Sequence, residues 1–152
     1  MANRIAPQGA PRPAGSITPA YEVNRHGTIT KQASRADAQP SLTSICAAAE
    51  WYGTQSTLLR HGEVAEFGEQ FTACLAQLVP ESKEMAERLD PGDAEAETAL
   101  AAVRTARMRM DRPKAPGLRG ESERVGDLAL SVSALAHHRE KLTAALAMLE
   151  AR

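Results

Sequence analysis

The chain has 152 residues, enough for one domain with a single core, because cores divide only in considerably longer chains. Its 18 basic and 19 acidic residues leave a formal charge of -1, which excludes a whole-molecule field that attracts nucleic acid or an anionic membrane. Cys46 and Cys74 are too few for a disulfide framework, and no apolar run has the length of a membrane span or a secretory signal. We therefore expect a cytoplasmic protein with reduced thiols, and its richness in alanine and arginine favours a GC-rich bacterial genome.

The first predicted segment, residues 1–40, is expected to be a disordered tail. It holds five of the nine prolines and only scattered apolar residues, too few to offset the entropy lost on ordering. Its five basic residues outnumber Glu22 and Asp37. The tail is either an inert leader or an arm that folds on a partner, with residues 21–29 as its anchor.

Two helices are predicted next. Apolar residues at three- and four-residue spacing predict a first helix over 41–52, which Ser41 can cap and Gly53 can end. The same spacing predicts a second helix over 62–89. Pro80 lies inside it, and because proline cannot donate the helical hydrogen bond while the stripe keeps its phase, we expect a kink rather than two helices.

Two further helices complete the predicted domain. Asp93 can cap a third helix over 94–110, whose acids lie in the first turns and whose arginines lie in the last, as the helix dipole favours. After a proline- and glycine-rich loop, the most regular apolar stripe predicts a fourth helix over 121–149. No strand pattern occurs after Pro40. The predicted fold is an all-α, antiparallel four-helix bundle over residues 41–152, with one kinked helix.

The predicted helix lengths suggest how the bundle packs. At about 1.5 Å per residue the second and fourth helices are the longest, so they should pair along their length, with the first and third filling the remaining two positions. The ends of the long pair would then be partly uncovered. This predicts an interface for a homodimer or a protein partner at Leu142, Leu146 and Leu149.

Arg139 occupies a position of the fourth helix at which the three- and four-residue spacing predicts an apolar residue. A buried guanidinium needs a carboxylate or a ligand, so we expect a salt bridge to an acid of the second helix, such as Glu66 or Glu69, or an anion-binding site. In the second interpretation His137, His138 and Glu69 join Arg139 around a cleft between the second and fourth helices.

A local basic patch ends the third predicted helix. Its members are Arg104, Arg107, Arg109 and Arg112. The patch could contact phosphate groups of a nucleic acid, but favourable interaction with the helix dipole already explains most of these residues. No aromatic residue lies among them, as it does in many nucleic-acid-binding surfaces.

No catalytic residue, cofactor or metal is predicted. Adjacent His137 and His138 point roughly 100° apart on a helix, and with His61 and the cysteines they match no zinc-ligand spacing. No phosphate loop, nucleophile elbow or metalloprotease motif occurs.

Several sequence stretches between residues 50 and 142 carry a family resemblance. They are Glu50 and Trp51, Leu58 and Leu59, LAQLVPE from Leu75, LDPGD from Leu89, AVRTARMRM from Ala102 and GLRGESERVGDLALSVSALAHHREKL from Gly117. In these the chain resembles a small actinobacterial family of unknown function, whose members are often labelled natural product biosynthesis proteins. The resemblance implies a specialised bacterial pathway and brings no catalytic residues.

Three functional hypotheses follow. The first is a non-catalytic helical interaction or accessory protein in a specialised-metabolism or regulatory pathway. The second is a small-molecule-binding protein or small enzyme with a cleft around Arg139, and the third is a regulator that contacts nucleic acid through the basic patch.

Overall fold

The computed structural model describes residues 21–23, 29–31 and 41–152. Two short strands, β1 (Tyr21–Val23) and β2 (Ile29–Lys31), pair antiparallel with Tyr21 opposite Lys31. Both lie within the segment that the sequence predicts to be a disordered tail. The rest of that segment, and with it the choice between an inert leader and a docking arm, lies outside the described residues.

Four helices form the rest of the described chain: α1 (Leu42–Gly53), α2 (His61–Glu87), α3 (Ala94–Asp111) and α4 (Leu118–Glu150). They confirm the predicted all-α bundle, and each boundary lies within three residues of the predicted one. The largest difference is at α4, which begins at Leu118 because Gly117 turns the loop with a φ of 81°, a conformation that glycine adopts without steric cost.

The helix starts are capped by the side chains that the sequence offers. Ser41 Oγ accepts from the backbone N–H of Ser44 at 3.1 Å, and Asp93 Oδ1 accepts from that of Ala96 at 3.0 Å. At the start of α2 the Arg60 N–H donates to Glu63 Oε1 at 3.2 Å. These bonds satisfy backbone N–H groups at the helix starts that would otherwise have to bond to water.

Pro80 does not divide α2, which is continuous from His61 to Glu87. Pro80 and Ala76, whose carbonyl loses its helical donor, are both exposed, so water can reach that carbonyl. The prediction of one helix rather than two is confirmed.

Helices α2 and α4 are the central pair and run in the same direction. Gly68 lies against Val125 near their first turns, and Arg88 Nη2 lies 3.6 Å from Glu150 Oε1 at their last turns. Helices α1 and α3 run the opposite way, as predicted. Helix α1 packs mainly on α4, whereas α3 packs on both α2 and α4.

The hydrophobic core has two parts along this pair. The first contains an aromatic cluster in which Phe67 packs against Trp51, Tyr52 and Phe71 at ring-centroid distances of 5.5–5.8 Å. The second lies where α2 and α4 end and α3 begins, with no residue from α1; its buried members are Ala86, Leu89, Ala96, Ala99, Leu142 and Leu146.

This second cluster corrects one expectation. Leu142 and Leu146, predicted to be uncovered, are 0% and 6% exposed because the first turns of α3 lie over them. Leu149 is only half-buried at the edge of the same cluster. Two of the three predicted interface residues are therefore core residues, and they do not form an exposed surface for a partner.

Candidate functional site

A cavity of about 570 Å³ opens between residues 42–50 of α1 and residues 136–143 of α4. Its size falls within the range of small-molecule sites, roughly 300–1,000 Å³. The residues that line it are Leu42, Thr43, Cys46, Ala47, Glu50, Ala136, Arg139, Glu140 and Thr143. The cavity therefore has apolar walls with a few charged and hydroxyl groups, which is the composition typical of ligand sites.

The helical repeat explains which residues reach this cavity. On α1 one face, with Ile45, Ala49 and Tyr52, enters the core, and the neighbouring face turns Cys46, Glu50 and their neighbours towards the cavity. On α4 the lining residues recur at three- and four-residue spacing from Ala136. Ala47 and Ala136 are too short to fill the space between the helices, so a gap remains.

Two carboxylates, those of Glu50 and Glu140, face this space from opposite helices. Helix α1 contains no lysine or arginine, and the positions three and four residues from Glu140 on α4 are alanine, histidine and threonine. Neither carboxylate forms an ion pair with any residue in the described part of the chain. Both carboxylates therefore lack a protein counter-ion within the described part of the chain.

Arg139 lies at the side of the cavity and faces an acid of α2. Its Nε is 3.4 Å from Glu81 Oε1, outside hydrogen-bonding geometry, and the two side chains are 42% and 49% exposed. The predicted ion pair with an acid of the second helix is present, but the acid is Glu81 and not Glu66 or Glu69. Because α2 and α4 run in parallel, Arg139 in the second half of α4 is level with Glu81, whereas Glu66 and Glu69 lie near the start of α2.

The two thiols near the cavity are in their neutral form. Burial raises the pKa of Cys46, and the charges of Glu50 and Glu140 raise it further. Burial, with smaller contributions from Cys46 and Glu81, raises the pKa of Cys74 to about 12. Both cysteines are free, and at neutral pH neither is a thiolate nucleophile.

The other predicted ligand residues do not line the cavity. His137 and Glu69 are exposed elsewhere on the surface. His138 is directed towards α3: burial lowers its pKa, His137 lowers it further, and Glu95 at the start of α3 opposes the shift. Of the set Arg139, His137, His138 and Glu69, only Arg139 borders this cavity, which lies between α1 and α4, whereas the predicted cleft lies between α2 and α4.

Two of the four arginines of the predicted basic patch hold α3 against α4. Arg109 Nη1 donates to Ser131 Oγ at 3.0 Å and to the Asp127 carbonyl at 3.3 Å. Arg112 Nη2 donates to Asp127 Oδ2 at 2.9 Å. Arg104 and Arg107 remain exposed, so the patch is reduced to two arginines that have no such structural contact.

The described residues contain neither a cluster of metal ligands nor a helix that could span a membrane. Nowhere among them do three histidine, cysteine, aspartate or glutamate side chains gather as a metal site requires. Within the same part of the chain, no helix combines the length and the apolar character needed to cross a membrane.

Residues 43–144 match the model of a family described as of unknown function, DUF6415. This range contains every residue that lines the cavity except Leu42, and it agrees with the expectation of a family of unknown function. No curated protein and no solved structure matches the chain.

Proposed function

The chain belongs to the family of unknown function DUF6415, and we propose from its own geometry that it is a non-catalytic accessory protein that binds a small molecule between α1 and α4. The observation that carries the proposal is the cavity of about 570 Å³ with apolar walls and two uncompensated carboxylates. Burial of apolar ligand surface supplies affinity in such a site, while a few charged groups supply orientation and specificity.

The chemistry of the lining favours binding over catalysis. The raised pKa of Cys46 keeps the only thiol of the cavity wall protonated, so it is a poor nucleophile. The histidines, the usual general bases at neutral pH, lie outside the lining.

The resemblance to actinobacterial proteins labelled for natural product biosynthesis suggests the biological setting. We place the protein in the cytoplasm of such a bacterium, where it serves a specialised-metabolism or regulatory pathway. The ligand would then be a metabolite of that pathway, and the protein would sense, store or deliver it.

A protein partner or a second copy of the chain is the second candidate. Its support is the exposed apolar side chain of Met148 (69%), which is next to the half-buried Leu149 at the end of α4. Sedimentation velocity of wild type and of Met148→Glu tests this candidate. Wild type should sediment as an assembly, and the glutamate at position 148 should shift the protein towards the monomer. Nucleic-acid binding has less support, because Arg109 and Arg112 are occupied.

The ligand-binding proposal can be tested by thermal unfolding of the full chain against a panel of small cations, neutral molecules and anions. Ala136→Trp fills the cavity from α4, and Thr43→Trp fills it from α1. The matched control is Ala101→Trp on an exposed face of α3 away from the cavity.

At least one chemical class should raise the Tm of wild type and of the control, because a ligand that binds only the native state stabilises it. The increase should be absent in the filled variants, whose folding is checked by circular dichroism. A panel that leaves the wild-type Tm unchanged, or that raises it equally in a folded cavity-filled variant, contradicts the proposal.

A further inference from the structure

We infer that the ligand of the α1–α4 cavity is an organic cation, an ammonium group joined to a compact apolar body. This inference rests on the proposed function and specifies its ligand class. It is carried by the position of Glu50 and Glu140, by the partner that Arg139 already has, and by the apolar wall between them.

The two carboxylates act on the same space. Each lines the cavity from its own helix, and each is close enough to Cys46 for its charge to be felt at the thiol. An ammonium group placed near Cys46 would therefore approach two negative charges at once. Both carboxylates are exposed at the open side of the cavity, so the attraction is that of partly solvated charges and depends on the salt concentration.

The charge of the third ionised residue in the lining is already balanced. The guanidinium of Arg139 faces Glu81 of α2 at 3.4 Å, so it contributes little positive potential to the cavity. Counting Glu50, Glu140 and Glu81 against Arg139, the immediate surroundings carry three negative charges and one positive charge. An anionic ligand would meet repulsion from the two carboxylates that have no counter-ion.

The remaining wall suits an apolar body. Leu42, Ala47 and Ala136 present hydrocarbon surface, and the protonated thiol of Cys46 adds a small, weakly polar group. Thr43 and Thr143 provide hydroxyl groups that can accept from the N–H groups of an ammonium. A bare metal cation would leave the apolar wall unused, and no metal-ligand cluster occurs among the residues that the structure describes.

Isothermal titration calorimetry on the full chain, with three probes of the same shape, tests this inference. Benzylamine is a cation at neutral pH, benzyl alcohol is neutral and benzoate is an anion. We expect the Kd of benzylamine to be at least about tenfold lower than that of benzyl alcohol at low salt, and benzoate to bind more weakly than either. Added sodium chloride should reduce the preference, because it screens the carboxylates.

Charge-neutralising variants locate the effect. Glu50→Gln and Glu140→Gln should each weaken benzylamine binding several-fold and leave benzyl alcohol binding unchanged, and the double variant should lose the preference. Glu123→Gln, at an exposed position of α4 outside the cavity lining, is the matched control and should bind as wild type does.

The outcomes separate the two proposals. If benzyl alcohol or benzoate binds as tightly as benzylamine and Ala136→Trp abolishes that binding, the cavity is a ligand site and the inferred cation is wrong. If benzylamine binds wild type and the double variant equally, the inference is again overturned. If none of the three probes binds at millimolar concentration, the inference is overturned, whereas the proposed function is contradicted only if the wider panel also leaves the wild-type Tm unchanged.

Discussion

Glu121 and Arg124 form a largely buried ion pair in the first turns of α4, with side chains 9% and 10% exposed. Arg124 donates from Nε and Nη2 to the two carboxylate oxygens at 2.8 and 2.6 Å. The N–H of Ala115 also donates to Glu121 at 3.0 Å, which fixes the loop before the helix. These bonds offset much of the cost of removing both charges from water.

At the residue scale we predict that Glu121→Ala lowers the free energy of unfolding by about 3 kcal/mol, because it leaves the Arg124 guanidinium enclosed without its partner. Urea denaturation measures the change. Glu87→Ala, which breaks the exposed pair with Lys83, is the control and should cost about 0.5 kcal/mol or less. Equal losses in the two variants would contradict this account of Glu121.

The stability that Glu121 contributes should depend on pH, and the direction of that dependence follows from the pKa shift of its carboxyl group. Hydrogen bonds from Arg124, and to a smaller extent from Ala115, hold the pKa of Glu121 below its ordinary value of 4.5. The folded state therefore favours the ionised carboxylate. The stability that Glu121 contributes should be fully present above about pH 4.5 and should diminish as the pH falls through the folded-state pKa. The difference in the free energy of unfolding between wild type and Glu121→Gln should therefore become smaller at acidic pH.

At the scale of elements, the closest approach of α2 to α4 depends on Gly68. A Cβ at this position would lie 3.0 Å from Val125 Cγ2, nearer than carbon atoms pack without displacement. At Gly126 of α4, a Cβ would meet Tyr52 Cε1 at an ordinary 3.8 Å. The two glycines thus have the same helical propensity and different surroundings.

We predict opposite effects for these two glycines. Gly126→Ala should stabilise the fold by about 0.5–1 kcal/mol through helix propensity and reduced freedom of the unfolded chain. Gly68→Ala should destabilise it by about 1 kcal/mol, because the new methyl group forces α2 away from Val125. Chemical denaturation of both variants measures the difference. A stabilising Gly68→Ala would show that the helices are not in close contact there.

The elements themselves were predictable, because the apolar spacing, the capping residues Ser41 and Asp93, and the unbroken phase of the apolar spacing around Pro80 act locally along the chain. The contacts between elements were not. Nothing in the stripe of α4 indicates that the first turns of α3 cover Leu142 and Leu146, since this depends on how far α3 extends along the central pair. The acid that faces Arg139 likewise depends on the parallel alignment of α2 and α4, which sets Glu81 at its level.

At the scale of the whole molecule, the cavity lies beside most of α1, from Leu42 to Glu50, and faces the second half of α4. The short side chains of Ala47 and Ala136 leave this space between the two helices unfilled. The sequence identified Arg139 at the edge of this site, but the charges of Glu50 and Glu140 were missed. One signal was available: Glu50 is the only charged residue in α1.

The most direct test of the central claim, that the α1–α4 cavity is the ligand site, is a ¹⁵N NMR titration of the full chain with benzylamine. The account predicts saturable amide shifts concentrated in residues 42–50 and 136–143, on the two walls of the cavity. Shifts concentrated instead on the exposed face of α3, or no saturable shift anywhere, would contradict it.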